Sequence, residues 1–170
     1  MTKTIYFAGG SFWGTEHYFK LIDGVTETQV GYANGTTENS TYEQVRSHTT
    51  GHTETVCVRY DDSRISLDFL LDMFFKAIDP TLKDQQGHDI GPQYRTGIYY
   101  TDPDELPRIQ QRLNTEAQRY ATPLHTEVLP LKCFYPAEEY HQDYLDKNPD
   151  GYCHIPLALF EFARRARPES

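Results

Sequence analysis

The chain has 170 residues, of which 38% are hydrophobic, and it carries a formal net charge of −9. This length suits a single domain with one core, and the acidic balance argues against nucleic acid or an anionic membrane as the main partner, since both require a basic face. No apolar run reaches the roughly 20 residues of a membrane span, and the first residues lack a signal-peptide core, so we expect a cytoplasmic protein.

The first half of the chain predicts the order β-α-β-β-α. The apolar patterns that carry this prediction are a strand over 4–8, a helix over 15–22, strands over 25–32 and 53–60, and a helix over 67–78. Ser66 precedes the last of these helices and can cap it. Residues 33–40 are rich in turn formers and predict a loop.

The second half of the chain adds two strands and three helices. They are a strand over 96–101 after a loop over 81–93, a helix capped by Asp104, a strand over 125–131, a short polar helix over 137–145 and a terminal helix over 157–164. Asp104 suits that cap better than Asp102, because Pro107 then falls in the first helical turn. We predict one α+β domain over 1–170, a two-layer sandwich with a ferredoxin-like split β-α-β core, added elements and a long C-terminal coil and helix.

The turn between the first strand and the first helix has the sequence Gly-Gly-Ser-Phe-Trp-Gly over residues 9–14. Two glycines permit a tight turn and a close approach to its backbone. Ser11 then lies at a helix N-terminus, where free N–H groups and the helix dipole favour negative charge. This environment suits an activated nucleophile, although a serine cap beside two core aromatic residues explains the stretch taken alone.

Three further stretches hold residue types that suit chemistry. Glu54 begins a strand close to Gly51, and residues 88–95 concentrate many hydrogen-bonding side chains in one loop. The cysteines are odd in number and widely spaced, so they match neither a disulfide framework nor a zinc pattern: Cys57, Cys133 and Cys153. His48 and His52 are also unsuited to a shared helix face, and we expect neither a metal nor another cofactor.

Together these motifs resemble the peptide methionine sulfoxide reductase A family over about residues 4–155. The nucleophile turn of that family reads Gly-Cys-Phe-Trp-Gly, and residues 10–14 here read Gly-Ser-Phe-Trp-Gly. The resemblance continues, in the order of the family, through residues 31–35, 41–42, 50–54, 89–95, 140–142 and 147–153. It leaves residues 156–170 as a C-terminal extension.

The chain departs from the family at the nucleophile. The family has Cys or selenocysteine where this chain has Ser11. A hydroxyl does not ionise usefully near neutral pH and cannot become a sulfenic acid, so this chain should bind substrate without reducing it. We interpret Ser11 as a deliberate replacement. The alternative is a natural loss that leaves a non-catalytic module for binding oxidised methionine.

For the parent enzyme the resemblance implies reduction of the S-epimer of methionine sulfoxide, free or in peptides. Phe12 and Trp13 would cradle the S-methyl group. Four polar side chains would surround the sulfoxide oxygen or hold the site: Tyr42, Glu54, Asp89 and Tyr94. Glu54 would donate a proton to the oxygen, which requires a pKa well above 4.3, its ordinary value.

The resemblance also implies how the oxidised nucleophile is recycled. Cys153 matches the resolving position of the family, and thioredoxin is the expected reductant of a monomeric enzyme. Cys133 is the weaker candidate for this role. A serine hydrolase that uses Ser11 with His52 and Asp89 is a competing hypothesis, but the turn does not match Gly-x-Ser-x-Gly.

Overall fold

The computed structural model of the chain describes residues 1–35, 51–151 and 153–168. Within these ranges eight strands occur: β1 (Thr2–Ala8), β2 (Val25–Ala33), β3 (Thr53–Asp61), β4 (Gln85–Gln86), β5 (Asp89–Ile90), β6 (Gly97–Tyr100), β7 (Glu127–Pro130) and β8 (Phe134–Pro136). The same ranges contain five α-helices: α1 (Phe12–Lys20), α2 (Leu67–Ala77), α3 (Leu106–Ala117), α4 (Tyr144–Lys147) and α5 (Leu157–Arg165). None of the helices in these ranges is long and apolar enough to cross a membrane.

Six strands form one sheet in the order β7-β6-β1-β3-β2-β8, and β4 pairs with β5 in a separate hairpin. All neighbours in the large sheet are antiparallel except β6 and β7, which are parallel. β1 and β2 therefore run parallel on either side of β3 and are joined through α1, while β3 and β6 flank β1 and are joined through α2. This arrangement confirms the predicted ferredoxin-like α+β core, and β7 and β8 extend its two edges.

Helices α1 and α2 cover the same face of the sheet, where aromatic rings fill the core. The ring of Phe7 in β1 stacks on Phe19 of α1 at 4.7 Å and on Phe74 of α2 at 4.8 Å between centroids. All three side chains are fully buried, and burial of each contributes about 1.5–3 kcal/mol. This stack fixes α1 on the sheet, and with it the position of the turn that joins β1 to α1.

The start of α3 differs from the prediction. Asp102, and not Asp104, is the capping residue: its Oδ1 accepts the Asp104 N–H at 3.0 Å and it precedes a 3₁₀ turn over Pro103–Glu105. α3 then follows from Leu106. The side chain of Asp102 satisfies a free backbone donor before the α-helix starts, so the cap lies one short turn earlier than the apolar pattern indicates.

The polar helix predicted over 137–145 is wrong. The stretch contains a 3₁₀ turn, Glu139–His141, and the left-handed residue Asp143, which has φ +53° and precedes α4. The cause is tertiary, because the Gln142 side chain accepts the Val30 N–H and donates to the Val30 carbonyl, both at 2.9 Å. Gln142 thus pairs with β2 as a strand residue would, and this pairing prevails over local helix preference.

The loop predicted over 81–93 also contains structure. The hairpin of β4 and β5 lies within it, and a 3₁₀ turn over Pro92–Tyr94 follows. Gln86 anchors the hairpin, because its side chain accepts the Asp79 N–H at 2.9 Å and donates to the Asp79 carbonyl at 2.7 Å. This anchor carries Asp89 on a fixed element instead of a free loop.

Candidate active site

The turn after β1 brings Ser11 to the N-terminal end of α1. Ser11 is the N-cap residue, with φ −57° and ψ 129°, and α1 begins at Phe12, earlier than the sequence pattern indicates. The Ser11 side chain is only 6% exposed and makes no capping bond. The Thr15 hydroxyl lies 3.0 Å from both the Gly9 and the Ser11 carbonyl oxygens and so holds the turn. Residue 11 is therefore fixed in a buried position beside free helical N–H groups.

Glu54 lies next to this turn. Its Oε1 accepts the Phe12 N–H at 3.2 Å, and its side chain is 3% exposed on β3, opposite Tyr32 in β2. Burial raises the pKa of Glu54 to about 8; the Phe12 bond lowers the pKa and the charge of Asp89 raises it further. The carboxyl therefore holds its proton at neutral pH, as a proton donor must.

Asp89 lies on the hairpin strand β5 and is half-buried. Its charge raises the pKa of Glu54, of the Cys153 thiol and of His154. One carboxylate therefore acts on three groups around the same turn. Tyr94 is half-buried at the end of the 3₁₀ turn that follows the hairpin.

Arg95 ties this loop to the start of β3. Its Nη1 donates to the Pro92 carbonyl at 2.7 Å, its Nη2 to the Gly51 carbonyl at 2.8 Å, and its Nε to Glu127 Oε1 at 3.0 Å. The strand that carries Glu54 and the loop that carries Tyr94 are thus held by one guanidinium group. In the sequence, Arg95 is recognisable only as part of the 89–95 motif, and no local pattern indicates this role.

The two aromatic residues of the turn lie in different environments. Phe12 is 1% exposed, with its ring centroid 5.8 Å from Tyr32 and 5.2 Å from His141. Trp13 is half-buried and stacks on Tyr144 at 3.8 Å and 9°. Its Nε1 donates to His141 Nδ1 at 2.9 Å. The Trp13 ring is therefore held on two sides, by Tyr144, which the sequence does not single out, and by His141, which the sequence marks only as part of a motif.

Cys153 lies over the first turn of α1. A side chain at Gly14 would begin only 2.8 Å from the Cys153 Sγ, so the thiol occupies the space that glycine leaves free. Gly14 follows Ser11 by three residues, so it lies on the same face of α1. Burial raises the pKa of the Cys153 thiol, which hydrogen-bonds the Ile155 carbonyl at 3.4 Å.

The other sequence candidates lie elsewhere. Cys133 lies beside Gly35, with Sγ 4.0 Å from its carbonyl oxygen, and Cys57 is buried within β3. The Nδ1 atom of His52 accepts the Gly35 N–H at 2.9 Å, so this ring serves the backbone and is not placed as the base of a serine hydrolase. Tyr42 and His48 fall outside the described residues.

Known proteins are similar to this chain over nearly its whole length. The family model of peptide methionine sulfoxide reductase matches residues 3–168. A peptide methionine sulfoxide reductase MsrA of Clostridium acetobutylicum is 56% identical over 159 residues, which are 94% of this chain and 98% of that relative. Its counterpart of Lachnoclostridium phytofermentans is 55% identical over 166 residues, which are 98% of this chain and all of that relative.

Several solved structures are also similar to this chain. Methionine sulfoxide reductase A of Corynebacterium diphtheriae matches with a TM-score of 0.87 at 38% identity, covering 91% of this chain and 83% of that one. Mxr1 from Saccharomyces cerevisiae in its reduced form matches with a TM-score of 0.86 at 37% identity, covering 90% and 89%. Mxr1 in complex with Trx2 matches with a TM-score of 0.62 at 26% identity, covering 91% and 87%. The chain belongs to the peptide methionine sulfoxide reductase family.

Proposed function

We propose that this protein reduces the S-epimer of methionine sulfoxide, free or in peptides, to methionine when residue 11 is cysteine or selenocysteine. With Ser11 in place, the chain binds this substrate and does not reduce it. The observation that carries the proposal is the buried Glu54 carboxyl, which accepts a hydrogen bond from Phe12, the neighbour of residue 11. The S–O group of the substrate must contact both a nucleophile and a proton donor. Residue 11 and Glu54 lie close enough together to supply the two.

In the reductive step, the sulfur or selenium of residue 11 attacks the sulfoxide sulfur. Glu54 gives a proton to the sulfoxide oxygen, the S–O bond of the substrate breaks, and the oxygen passes to residue 11 as a sulfenic or selenenic acid. The substrate sulfur is reduced by two electrons and residue 11 is oxidised by two. The proton lost by the nucleophile restores the Glu54 carboxyl, so protons balance.

The replacement of the nucleophile by serine removes this step. A cysteine at the N-terminus of α1 would have its pKa lowered by the helix dipole and would react as a thiolate. A serine oxygen in the same place remains protonated, and it has no stable oxidised form equivalent to a sulfenic acid that could hold the sulfoxide oxygen. The turn, Glu54 and Trp13 are in place in the Ser11 chain, which supports retained binding.

The S-methyl group of the substrate packs on the Trp13 ring, with Phe12 behind it. The stack on Tyr144 and the bond to His141 support a rigid aromatic wall at Trp13. Phe12 is nearly fully buried and so backs that wall rather than forming its surface. An apolar wall of this kind suits a methyl group, which offers no hydrogen bond.

Three further residues assist at the sulfoxide oxygen. Burial chiefly raises the pKa of Glu54, and the negative charge of Asp89 adds to this rise and so helps to keep the carboxyl protonated. Tyr94, in the loop that Arg95 holds, and Tyr42 donate phenolic hydrogen bonds to the same oxygen. Both phenols stabilise the charge that develops on the oxygen before proton transfer is complete.

Cys153 then resolves the oxidised nucleophile, and thioredoxin reduces the resulting bond. The position of the Cys153 Sγ over Gly14, one helical turn from residue 11, supports this assignment over Cys133, which lies beside Gly35. The complex of the relative Mxr1 with Trx2 supports thioredoxin as the partner. We propose a monomer as the working unit.

The test measures reduction of methionine-S-sulfoxide by dithiothreitol in the Ser11 chain and in its Ser11→Cys variant. We expect turnover only in the variant, and only with the S-epimer. Ser63→Cys, which adds a thiol at an exposed turn, is the matched control and should stay inactive. Turnover in the unchanged chain would contradict the assignment of residue 11, and binding without turnover in Ser11→Cys would favour a non-catalytic binding module.

A further inference from the structure

The residue after Cys153 packs across the nucleophile turn. His154 Nε2 lies 2.8 Å from the Gly9 carbonyl oxygen. Because a carbonyl oxygen only accepts hydrogen bonds, Nε2 must carry the hydrogen. Burial lowers the pKa of His154, so the ring is neutral at pH 7 and its second nitrogen, Nδ1, bears a lone pair.

This nitrogen borders the same space as the Cys153 thiol, which donates to the Ile155 carbonyl at 3.4 Å and must turn from it to transfer its proton. A side chain at Gly14 would begin 3.3 Å from His154 Nδ1 and 2.8 Å from Cys153 Sγ, so both atoms border one point over the first turn of α1. Among the described residues, Nδ1 is buried and has no hydrogen-bond partner. A buried acceptor without a donor costs free energy, which calls for a functional reason.

Two glycines in neighbouring elements leave the space that the His154 ring occupies. A side chain at Gly10 would begin 2.9 Å from His154 Nε2, and one at Gly87 would begin 3.3 Å from His154 Cβ. The turn before α1 and the hairpin of β4 and β5 therefore both lack side chains where the imidazole lies. His154 is held between them, and rotation of the ring away from Cys153 would break its bond to Gly9.

We propose that His154 accepts the proton of the Cys153 thiol when Cys153 attacks the oxidised residue 11. The inference rests on the proposed function. The Cys153 S–H bond breaks, its proton passes to Nδ1, and a bond forms between the Cys153 sulfur and the sulfur or selenium of residue 11. The bond from that atom to its hydroxyl oxygen breaks, and the hydroxide leaves as water with the proton of the imidazolium. Cys153 is oxidised by one electron and residue 11 is reduced by one.

The electrostatics of the site explain why a base is needed. Burial raises the pKa of the Cys153 thiol, and the charge of Asp89 raises it further, so the unassisted thiol stays protonated at neutral pH. Asp89 is also the charged residue that acts on His154, where it raises the pKa and so favours the imidazolium that forms during transfer. Among the described residues, burial, Gly9 and Asp89 are the influences on this ring.

The experiment uses the Ser11→Cys protein with and without His154→Gln. Glutamine retains an amide donor for the Gly9 carbonyl and removes the basic Nδ1. Each reduced protein is mixed with methionine-S-sulfoxide without external reductant, and rapid quench yields two rates: methionine release and loss of free thiols. We expect an unchanged methionine burst and disulfide formation about 10²-fold slower at pH 7, within the usual range for acid–base assistance. His125→Gln, at an exposed histidine, is the matched control.

The pH profile separates proton transfer from a structural role. In the protein with His154, disulfide formation should be level with pH above the pKa of the imidazole. In His154→Gln it should rise about tenfold per pH unit toward the pKa of the thiol. Equal slowing at every pH, or no slowing, would overturn the inference. The profile of the His154 protein tests it even if His154→Gln folds poorly, and a missing methionine burst in the Ser11→Cys parent would instead overturn the proposed function.

Discussion

Two buried carboxyl groups, one within α1 and one at its N-terminal end, have different surroundings. Glu16, within α1, is 2% exposed, and it accepts the Asp143 N–H at 2.8 Å and the Thr28 hydroxyl at 3.0 Å. Glu54, at the N-terminal end, is 3% exposed and accepts the Phe12 N–H at 3.2 Å. Both side chains have almost no solvent exposure, although Glu54 is the more completely surrounded by protein.

The difference lies in the groups that oppose burial. Burial raises the pKa of Glu16, and the charge of Asp143 adds to this rise, while its two hydrogen bonds and Lys20 oppose it. For Glu54, one hydrogen bond lowers the pKa while the charge of Asp89 adds to the effect of burial, and the pKa is about 8. A nearby carboxylate acts on both groups. The two hydrogen bonds and the lysine of Glu16 therefore suit a structural role, whereas Glu54, with one hydrogen bond and no cation acting on it among the described residues, retains a proton for chemistry.

The largest expected effect concerns Cys153, which lies over the first turn of α1, at the end of the helix that Glu54 contacts. In the Ser11→Cys background, Cys153→Ser should stop thioredoxin-driven reduction after one turnover, because no thiol over the first turn of α1 remains to resolve residue 11. Methionine formed per enzyme with thioredoxin and its reductase is the measurement. Cys133→Ser is the matched control and should keep multiple turnover. Continued turnover of Cys153→Ser would show that another thiol resolves the intermediate.

Next in size is the loss of the proton donor. Glu54→Gln in the Ser11→Cys background should reduce kcat/KM by about 10²–10⁴-fold, the usual contribution of general acid–base catalysis. The amide still accepts the Phe12 N–H, so the fold is retained. The same change at Glu16 should leave kcat/KM unchanged. If both variants lost activity equally, the contrast between the two carboxyls would fail.

The pH dependence of stability should also reveal the raised pKa of Glu54. The pKa of Glu54 is about 8 in the folded chain against about 4.3 for an ordinary glutamate, so the folded state binds more protons between these values. The free energy of unfolding should therefore fall as pH rises from 5 to 8, by at most about 1.4 kcal/mol per pH unit from this group. Urea unfolding of the Ser11 chain and of Glu54→Gln at several pH values measures it. Identical slopes in the two proteins would contradict the raised pKa.

The smallest expected effect is on stability at Glu16. Glu16→Ala leaves the Asp143 N–H and the Thr28 hydroxyl without their acceptor, at a cost of about 1–3 kcal/mol in the free energy of unfolding. Urea denaturation at pH 7 measures the loss. Thr28→Ala, which removes one donor and leaves the Asp143 bond, should cost less. An unchanged free energy of unfolding in Glu16→Ala would mean that Glu16 does not hold α1 to the 3₁₀ and α4 region.

The elements that the sequence predicted are those in which local pattern and tertiary packing agree. Phe7, Phe19 and Phe74 follow strand and helix periods and meet in one stack, so β1, α1 and α2 were predictable. The stretch around Gln142 was not, because its amide pairs with Val30, more than 100 residues away. No periodicity encodes a single side chain that takes the place of a strand.

The candidate site also combines a feature that the sequence predicted with contacts that it did not. Glycines 9 and 10 before Ser11 predicted a tight turn into a helix, and the described turn has that geometry. The partners that hold it were missed, because Trp13 meets His141 and Gly9 meets His154 across most of the chain length. One signal was present in the sequence: His154 directly follows Cys153, and a base beside a thiol merits attention even before its partner is known.

The most direct test of the account is a titration of Glu54 in the Ser11 chain, where no turnover disturbs the measurement. The ¹³C carboxyl signal, assigned by its absence in Glu54→Gln, is followed by NMR from pH 4 to pH 10. The account predicts a pKa of about 8, with the carboxyl protonated at pH 7. A pKa at or below the ordinary value of about 4.3 would contradict it, because Glu54 could not then supply the proton that the sulfoxide oxygen requires.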